Sequence, residues 1–168
     1  MDSGISADTI GGLVLYDGAT GKSTFAASVS EAHFSFDPEN SNIGFILWNF
    51  ASLGDGPHGF ALVDKCNSVL HFMSYEGSFV ATEGFAEGDV STDIRAQESG
   101  TAGASSLQRI GIGFEETRDN NQWVFGKTTP GSSNMLQTFG SCEPVSPISS
   151  CCVSSNSFVS YRSRLIPL

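Results

Sequence analysis

The sequence predicts an all-β fold, an antiparallel β-sandwich, on three observations. Short apolar, β-prone runs recur at intervals of about 8–12 residues. The segments between them are rich in Gly, Asp and Asn, which supply the backbone geometries that tight turns need. No stretch keeps a 3.6-residue apolar period over three helical turns. A length of 168 residues suits one domain with a sizeable core. Residues 1–140 read as that domain and residues 141–168 as a flexible tail dense in Ser and Cys.

The strands follow in order. Leu13-Val14-Leu15-Tyr16 is a short apolar run closed by Asp17-Gly18-Ala19-Thr20-Gly21, a turn of the Asp-Gly type. Ser23 to Val29 reads as a second strand. In Ala32 to Phe36 the residues alternate, with Phe34 and Phe36 on one face and His33 and Ser35 on the other, until Asp37-Pro38 breaks the run. Ile43 to Phe50 is long, apolar and aromatic, as a strand covered on both faces would be. After a Gly-rich loop, Phe60 to Val63 and Val69 to Met73 flank Asp64–Ser68 and read as a hairpin. Leu107 to Phe114 and Gln122 to Phe125 complete the set. Leu15, Phe45, Leu47, Leu62, Val69 and Trp123 are the expected core. In the tail, Phe158 to Tyr161 is the one further β-prone segment.

Between the hairpin and Leu107 lies a long excursion punctuated by Gly77, Gly84 and Gly88 and carrying Glu83, Glu87, Asp89 and Asp93. A loop of that length on a rigid scaffold is where function is expected. The four carboxylates could give oxygen ligands to Ca²⁺, but they lack the D-x-[DN]-x-[DN]-G spacing of a calcium loop. A solvated loop is the plainer reading, with Asp93 bonding nearby backbone amides. Phe79 and Phe85 sit in this loop outside any alternating run, as exposed contacts or as plugs over the sandwich.

Catalytic readings fare poorly. Glu76 and Glu98 could pair as the two carboxyls of a glycosidase, but no spacing fixes their separation, and turn or edge positions suit them better. His71 alternates with Val69 and Met73 and reads as a packed or edge histidine. No G-x-S-x-G elbow occurs. Gly21-Lys22-Ser23 imitates the end of a phosphate loop without its first glycine and follows a strand instead of opening a helix, so a hairpin turn explains it. The aromatic residues of the apolar runs are core before they are sugar-stacking platforms. No cofactor is expected.

Eighteen acidic against eight basic residues give a formal net charge of −10. Such a chain repels nucleic-acid backbones and anionic bilayers, so unaided binding to either is disfavoured. No stretch reads as a secretory signal or a membrane span. The four cysteines, Cys66, Cys142, Cys151 and Cys152, form no zinc pattern, allow three pairings if all are oxidised, and leave a free thiol at Cys66 as an even alternative.

One resemblance is specific. Ala61-Leu62-Val63-Asp64, Ser74-Tyr75-Glu76-Gly77-Ser78-Phe79, Ala81-Thr82, Gly84, Ala86, Gly88, Ser91-Thr92-Asp93-Ile94 and Glu98-Ser99 follow the pattern of the lamin-tail-like domain of secreted and cell-surface bacterial proteins, often found beside extracellular nuclease domains. Ser106-Leu107-Gln108, Trp123 and Thr129-Pro130-Gly131-Ser132-x-Asn134-x-x-Gln137-Thr138-Phe139 continue it, so the resemblance spans roughly residues 10 to 140. It implies an immunoglobulin-like sandwich, an extracellular or surface location, and a non-catalytic binding or scaffolding module with a protein or matrix partner. Two alternatives stand beside it: an accessory domain detached from a secreted nuclease or hydrolase, and a structural subunit that assembles by strand addition. The family's first strand has no counterpart here, so an open sheet edge is expected beside Leu13–Tyr16. Phe158–Tyr161 or a partner strand would dock there. Arg95 stands where the family has a small residue, which suggests an exposed position or a local pairing with Glu98 or Asp93.

Overall fold

The computed structural model describes residues 9–37, 43–50, 54, 56–97, 105–111 and 123–138, with the backbone of 112 and of 158–163. Its strands are β1 (Ile10–Asp17), β2 (Lys22–Ser28), β3 (His33–Phe36), β4 (Gly44–Phe50), β5 (His58–Asp64) and β6 (Val69–Tyr75). They continue with β7 (Thr92–Asp93), β8 (Ser105–Arg109), β9 (Gly111–Ile112), β10 (Trp123–Lys127), β11 (Gln137–Thr138) and β12 (Phe158–Ser163). The fold is all-β and mostly antiparallel, as expected. A short 3-10 turn, Val29–Glu31, stands between β2 and β3, closed by a capping box of Ser28 and Glu31.

The principal sheet runs β2-β1-β5-β6-β7, with a second sheet in the order β12-β4-β3 and two strand pairs, β8-β10 and β9-β11. Alternation along β1 feeds two cores. Leu13 and Leu15 join Phe60 and Leu62 of β5 and meet Ile46 and Trp48 of β4, forming the interior between the sheets. Val14 and Tyr16 point the opposite way and join Ala61, Val63 and Phe72. Because both faces of β1 are covered, its apolar residues are consecutive rather than alternating. A third cluster, Tyr75, Ile94 and Ala96, packs against Leu107 and Trp123.

The hairpin of β5 and β6 forms as the sequence predicts, and Asp64 closes it. Its Oδ1 accepts from the backbone N–H of Cys66 at 2.8 Å and of Ser68 at 2.7 Å. A bulge lies between Leu62 and Val63, so that Val63 faces Val69 while Leu62 faces His71. The extra residue resets the alternation, and Val69 and Phe72 end on one face despite their odd spacing.

The open edge beside Leu13–Tyr16 does not exist. β1 pairs with β2 on one side and β5 on the other, so its backbone groups are satisfied within the sheet. β12 pairs in parallel with β4, Phe158 opposite Phe45, and not with β1. The remainder of the tail, including Cys142, Cys151 and Cys152, lies outside the described residues, as does Glu98; Cys66 is exposed and free. Leu15, Phe45 and Leu62 are buried as expected. Leu47, Val69 and Trp123 are only half-buried; Val69 and Trp123 pack at the margins of the first and third clusters.

At the β1–β2 turn, Asp17 accepts from Ala19 N–H at 2.8 Å and from the Thr20 hydroxyl at 3.0 Å. These bonds hold its carboxyl below the ordinary value of 3.8, the Ala19 amide contributing most. A depressed folded-state value means that the folded chain binds fewer protons than the unfolded one in this range. The stabilisation is therefore complete above about pH 4 and is lost as pH falls through the folded value. Asp17→Asn keeps an acceptor for the turn but cannot titrate. Thermal midpoints measured from pH 6 to pH 2 are expected to fall less steeply in that variant, and parallel profiles would show that Asp17 plays no part.

Candidate functional site

The acidic excursion is a folded cover, not an open loop. After β6, Glu76 and Gly77 turn the chain with positive φ, 58° and 129°. The chain then crosses the outer face of the principal sheet. Phe79 is 9% exposed and meets Phe72 edge-on, with ring centroids 5.4 Å apart and planes at 88°. Ala81 and Ala86 are buried beside Tyr16 and Val63. Phe79 is thus a plug; as an exposed contact it is excluded, because it fills the apolar face that β1, β5 and β6 present outward.

Thr82 ties the cover to the β1–β2 turn, its N–H donating to Gly21 O at 2.8 Å and its hydroxyl to Thr20 O at 3.1 Å, and three side-chain acceptors add further anchors. The Tyr16 hydroxyl accepts from Ala86 N–H at 3.1 Å, and burial pushes this phenol above its ordinary value. The Ser91 hydroxyl accepts from Phe79 N–H at 2.9 Å and donates to Ser74 Oγ at 2.8 Å, a wholly buried ladder. Glu83 accepts from Ser23, at 3.2 Å from its N–H and 3.1 Å from its hydroxyl, and so blocks the start of the β2 edge. Gly84 is required between these anchors. Its φ is +77°, and a Cβ there would stand 2.7 Å from the Tyr16 hydroxyl.

The sequence-derived site residues are distributed accordingly. Glu83 is engaged with Ser23, while the side chains of Glu87 and Asp89 are exposed. Asp93 accepts from Arg95 N–H at 2.8 Å, the local backbone bond expected of it, and Arg95 takes a left-handed φ of 55° with its side chain outward. Among the described residues no three His, Cys, Asp or Glu side chains come together to hold a metal ion. Glu76 is exposed, and His71 lies in β6 opposite Leu62. Gly21-Lys22-Ser23 is the hairpin turn expected, with Gly21 at φ 71°.

The polar residues after β10 are also structural. Buried Gln108 donates to Lys127 O and to Thr129 Oγ1, and Asn134 donates to Arg109 O at 2.9 Å. The Ser35 hydroxyl donates to Gly131 O at 3.1 Å, and the Ser133 hydroxyl donates to Asp37, so this loop is tied to β3 and the residue after it.

Among the described residues the exposed large apolar side chains are Phe34, Phe36 and Phe85 together with Val80, Val90, Val124, Met135 and Leu136. Phe34 and Phe36 are 58% and 66% exposed, and Phe85 is 48% exposed. Phe85 forms one wall of a shallow groove of about 430 Å³, floored by β1 and β2 and closed by the Lys65–Asn67 turn. Sequence reasoning placed Phe34 and Phe36 in the core. Their alternation with His33 and Ser35 gives the right face but cannot show how little of it the described residues cover. No protein-family model, no curated protein and no solved structure matches this chain.

Proposed function

We propose that this chain is a lamin-tail-like module of a secreted or surface protein, a non-catalytic β-sandwich that binds or positions a macromolecular partner. One observation carries the reading. Several of the polar side chains that its motifs supply, Asp64, Ser74, Ser91 and Asp93, are spent on turns and on anchoring the cover, whereas Phe34, Phe36 and Phe85 are exposed aromatic contact surface. Such a surface suits association, since aromatic side chains supply most of the energy at interface centres. The extracellular setting rests on the resemblance of the motifs alone.

The test is an activity panel on the full chain against DNA, RNA, ester and glycoside substrates, with and without divalent metal. No turnover above blank is expected. Turnover that survives purification and disappears in Glu76→Gln, Asp89→Asn or Asp93→Asn would overturn the proposal in favour of a hydrolase.

A further inference from the structure

We infer that the outer edge of β3 is a two-fold pairing site for a second copy of this chain, edge to edge and antiparallel. The inference names the partner for Phe34 and Phe36 and rests on the binding-module reading, which makes them contact surface. β3 is the outermost strand of its sheet; β4 pairs with it on one side, and no strand pairs with the other among the described residues. Natural edges are commonly blunted by lysine, proline or a bulge. His33-Phe34-Ser35-Phe36 has no lysine or proline, and its register to β4 runs without a break. The edge of β2 is treated differently, with the Glu83 carboxylate accepting from Ser23 N–H.

The ladder fixes which backbone groups face outward. Asp37 N–H donates to Ile43 O at 2.9 Å, one step beyond the pairing of Phe36 with Gly44. Bonded and unbonded positions alternate along an antiparallel pair, so His33 and Ser35 bond to β4 in phase with Asp37. Phe34 and Phe36 therefore turn their N–H and C=O groups to the open side, where none meets a backbone partner among the described residues. Directly opposed residues of an antiparallel pair share a face. Phe34 stands opposite Ile46, which belongs to the interior between the sheets, so both phenylalanines lie on the interior-facing side and yet are exposed.

Phe34-Ser35-Phe36 reads the same in both directions, and that selects the occupant. A second β3 laid antiparallel, with the two-fold axis between the Ser35 residues, sets each Phe34 opposite a Phe36. Each such pair exchanges both of its backbone hydrogen bonds, and the rings of both copies meet on one face. One pairing consumes both edges, so assembly closes at two copies. The strand itself carries no charged residue of the Asp, Glu, Lys or Arg type. The flanking carboxylates are turned to their own chain, Glu31 accepting from Ser28 N–H and Asp37 from the Ser133 hydroxyl. The repulsion of two molecules at −10 thus acts from outside the contact, where salt screens it. A whole phenylalanine buries about 150–250 Å², so rings 58% and 66% exposed offer about 200–300 Å² per copy. A standard interface takes about 800 Å² per partner. The dimer is accordingly weak and forms at high protein concentration.

The test is sedimentation equilibrium of the full chain from micromolar to near-millimolar concentration, under reductant so that Cys66 cannot bridge two copies. The mass is expected to rise from one chain toward two and no further, and to rise more at high salt than at low. The Phe34 and Phe36 amides should exchange more slowly as concentration rises, while the Ser35 amide, already bonded to β4, stays unchanged. Phe34→Ser/Phe36→Ser should weaken association by about tenfold or more, with the thermal midpoint of the dilute protein unaltered. A chain monomeric throughout, a mass beyond two copies or a dimer that loosens with salt overturns the inference. So does protection that maps elsewhere, or association untouched by the double substitution. A monomer without hydrolytic turnover sinks only the edge assignment, whereas turnover removes the module reading beneath it.

Discussion

Trp48→Ala is expected to lower stability by about 3–5 kcal/mol, the cost of emptying the site of a large buried aromatic. Trp48 is 1% exposed and joins β4 to the inner face of the principal sheet beside Leu13, Leu15 and Leu62. Its Nε1–H also donates to Ser28 O at 2.9 Å, so the same side chain ties β4 to the end of β2. For a domain of this size a loss of that order lowers the thermal midpoint by about 6–20 °C. The change is read from denaturant curves with unaltered slope. Trp123→Ala is the comparison, since Trp123 is only half-buried at the margin of the third cluster. It is expected to cost about 1–2 kcal/mol. If the two variants lose equal stability, the core is not centred on Trp48.

Phe79→Ala is the second large effect, about 2–4 kcal/mol. Its mechanism differs from that of Trp48. Phe79 fastens a segment that can open while the sheets stay paired, so the loss is bounded by the free energy of that local opening. The variant should therefore expose residues 80–90 to protease and speed their amide exchange, while amides of β1 and β5 stay protected. Tyr16→Phe, which removes the acceptor for Ala86 N–H, acts on the same segment. The two substitutions together should cost less than their sum, because an open cover cannot be opened twice. Strict additivity, or equal deprotection of β1, would show that the segment is not a separate cover.

The elements of the fold that sequence could reveal are those set by neighbouring residues. The β5–β6 hairpin is legible because two apolar runs flank a turn that Asp64 caps from within. The β1–β2 turn is legible for the same reason, Asp17 and Gly21 carrying its chemistry. Position of the strands in the sheets is not local. Nothing in Leu13–Tyr16 says that β2 and β5 will both claim it, so an interior strand read as an edge. The bulge at Leu62/Val63 breaks the two-residue period of β6 and hides the common face of Val69 and Phe72. The acidic excursion misleads most, because its glycines and carboxylates resemble those of a mobile loop. The partners that convert it into a cover, Tyr16 and Ser23, lie 70 and 60 residues away. Signals existed in Phe79, Ala81 and Ala86, whose apolar character suits burial, though no spacing could say against what.

The place of β1 has a kinetic meaning. Its hairpin with β2 and the hairpin of β5 and β6 are each closed by a short turn and can form independently, on the timescale of microseconds. The seam between them, where Leu13 meets Leu62, joins segments far apart in the chain and must wait for that longer closure. The cover needs both hairpins in place before Phe79 has a surface to fill. Assembly thus has an order, seam before cover, and the transition state is expected at the seam. Leu62→Ala should then slow refolding, while Phe79→Ala should chiefly accelerate unfolding. Until the seam closes, both faces of β1 are apolar and bare, and that interval is when the nascent chain is most exposed to aggregation.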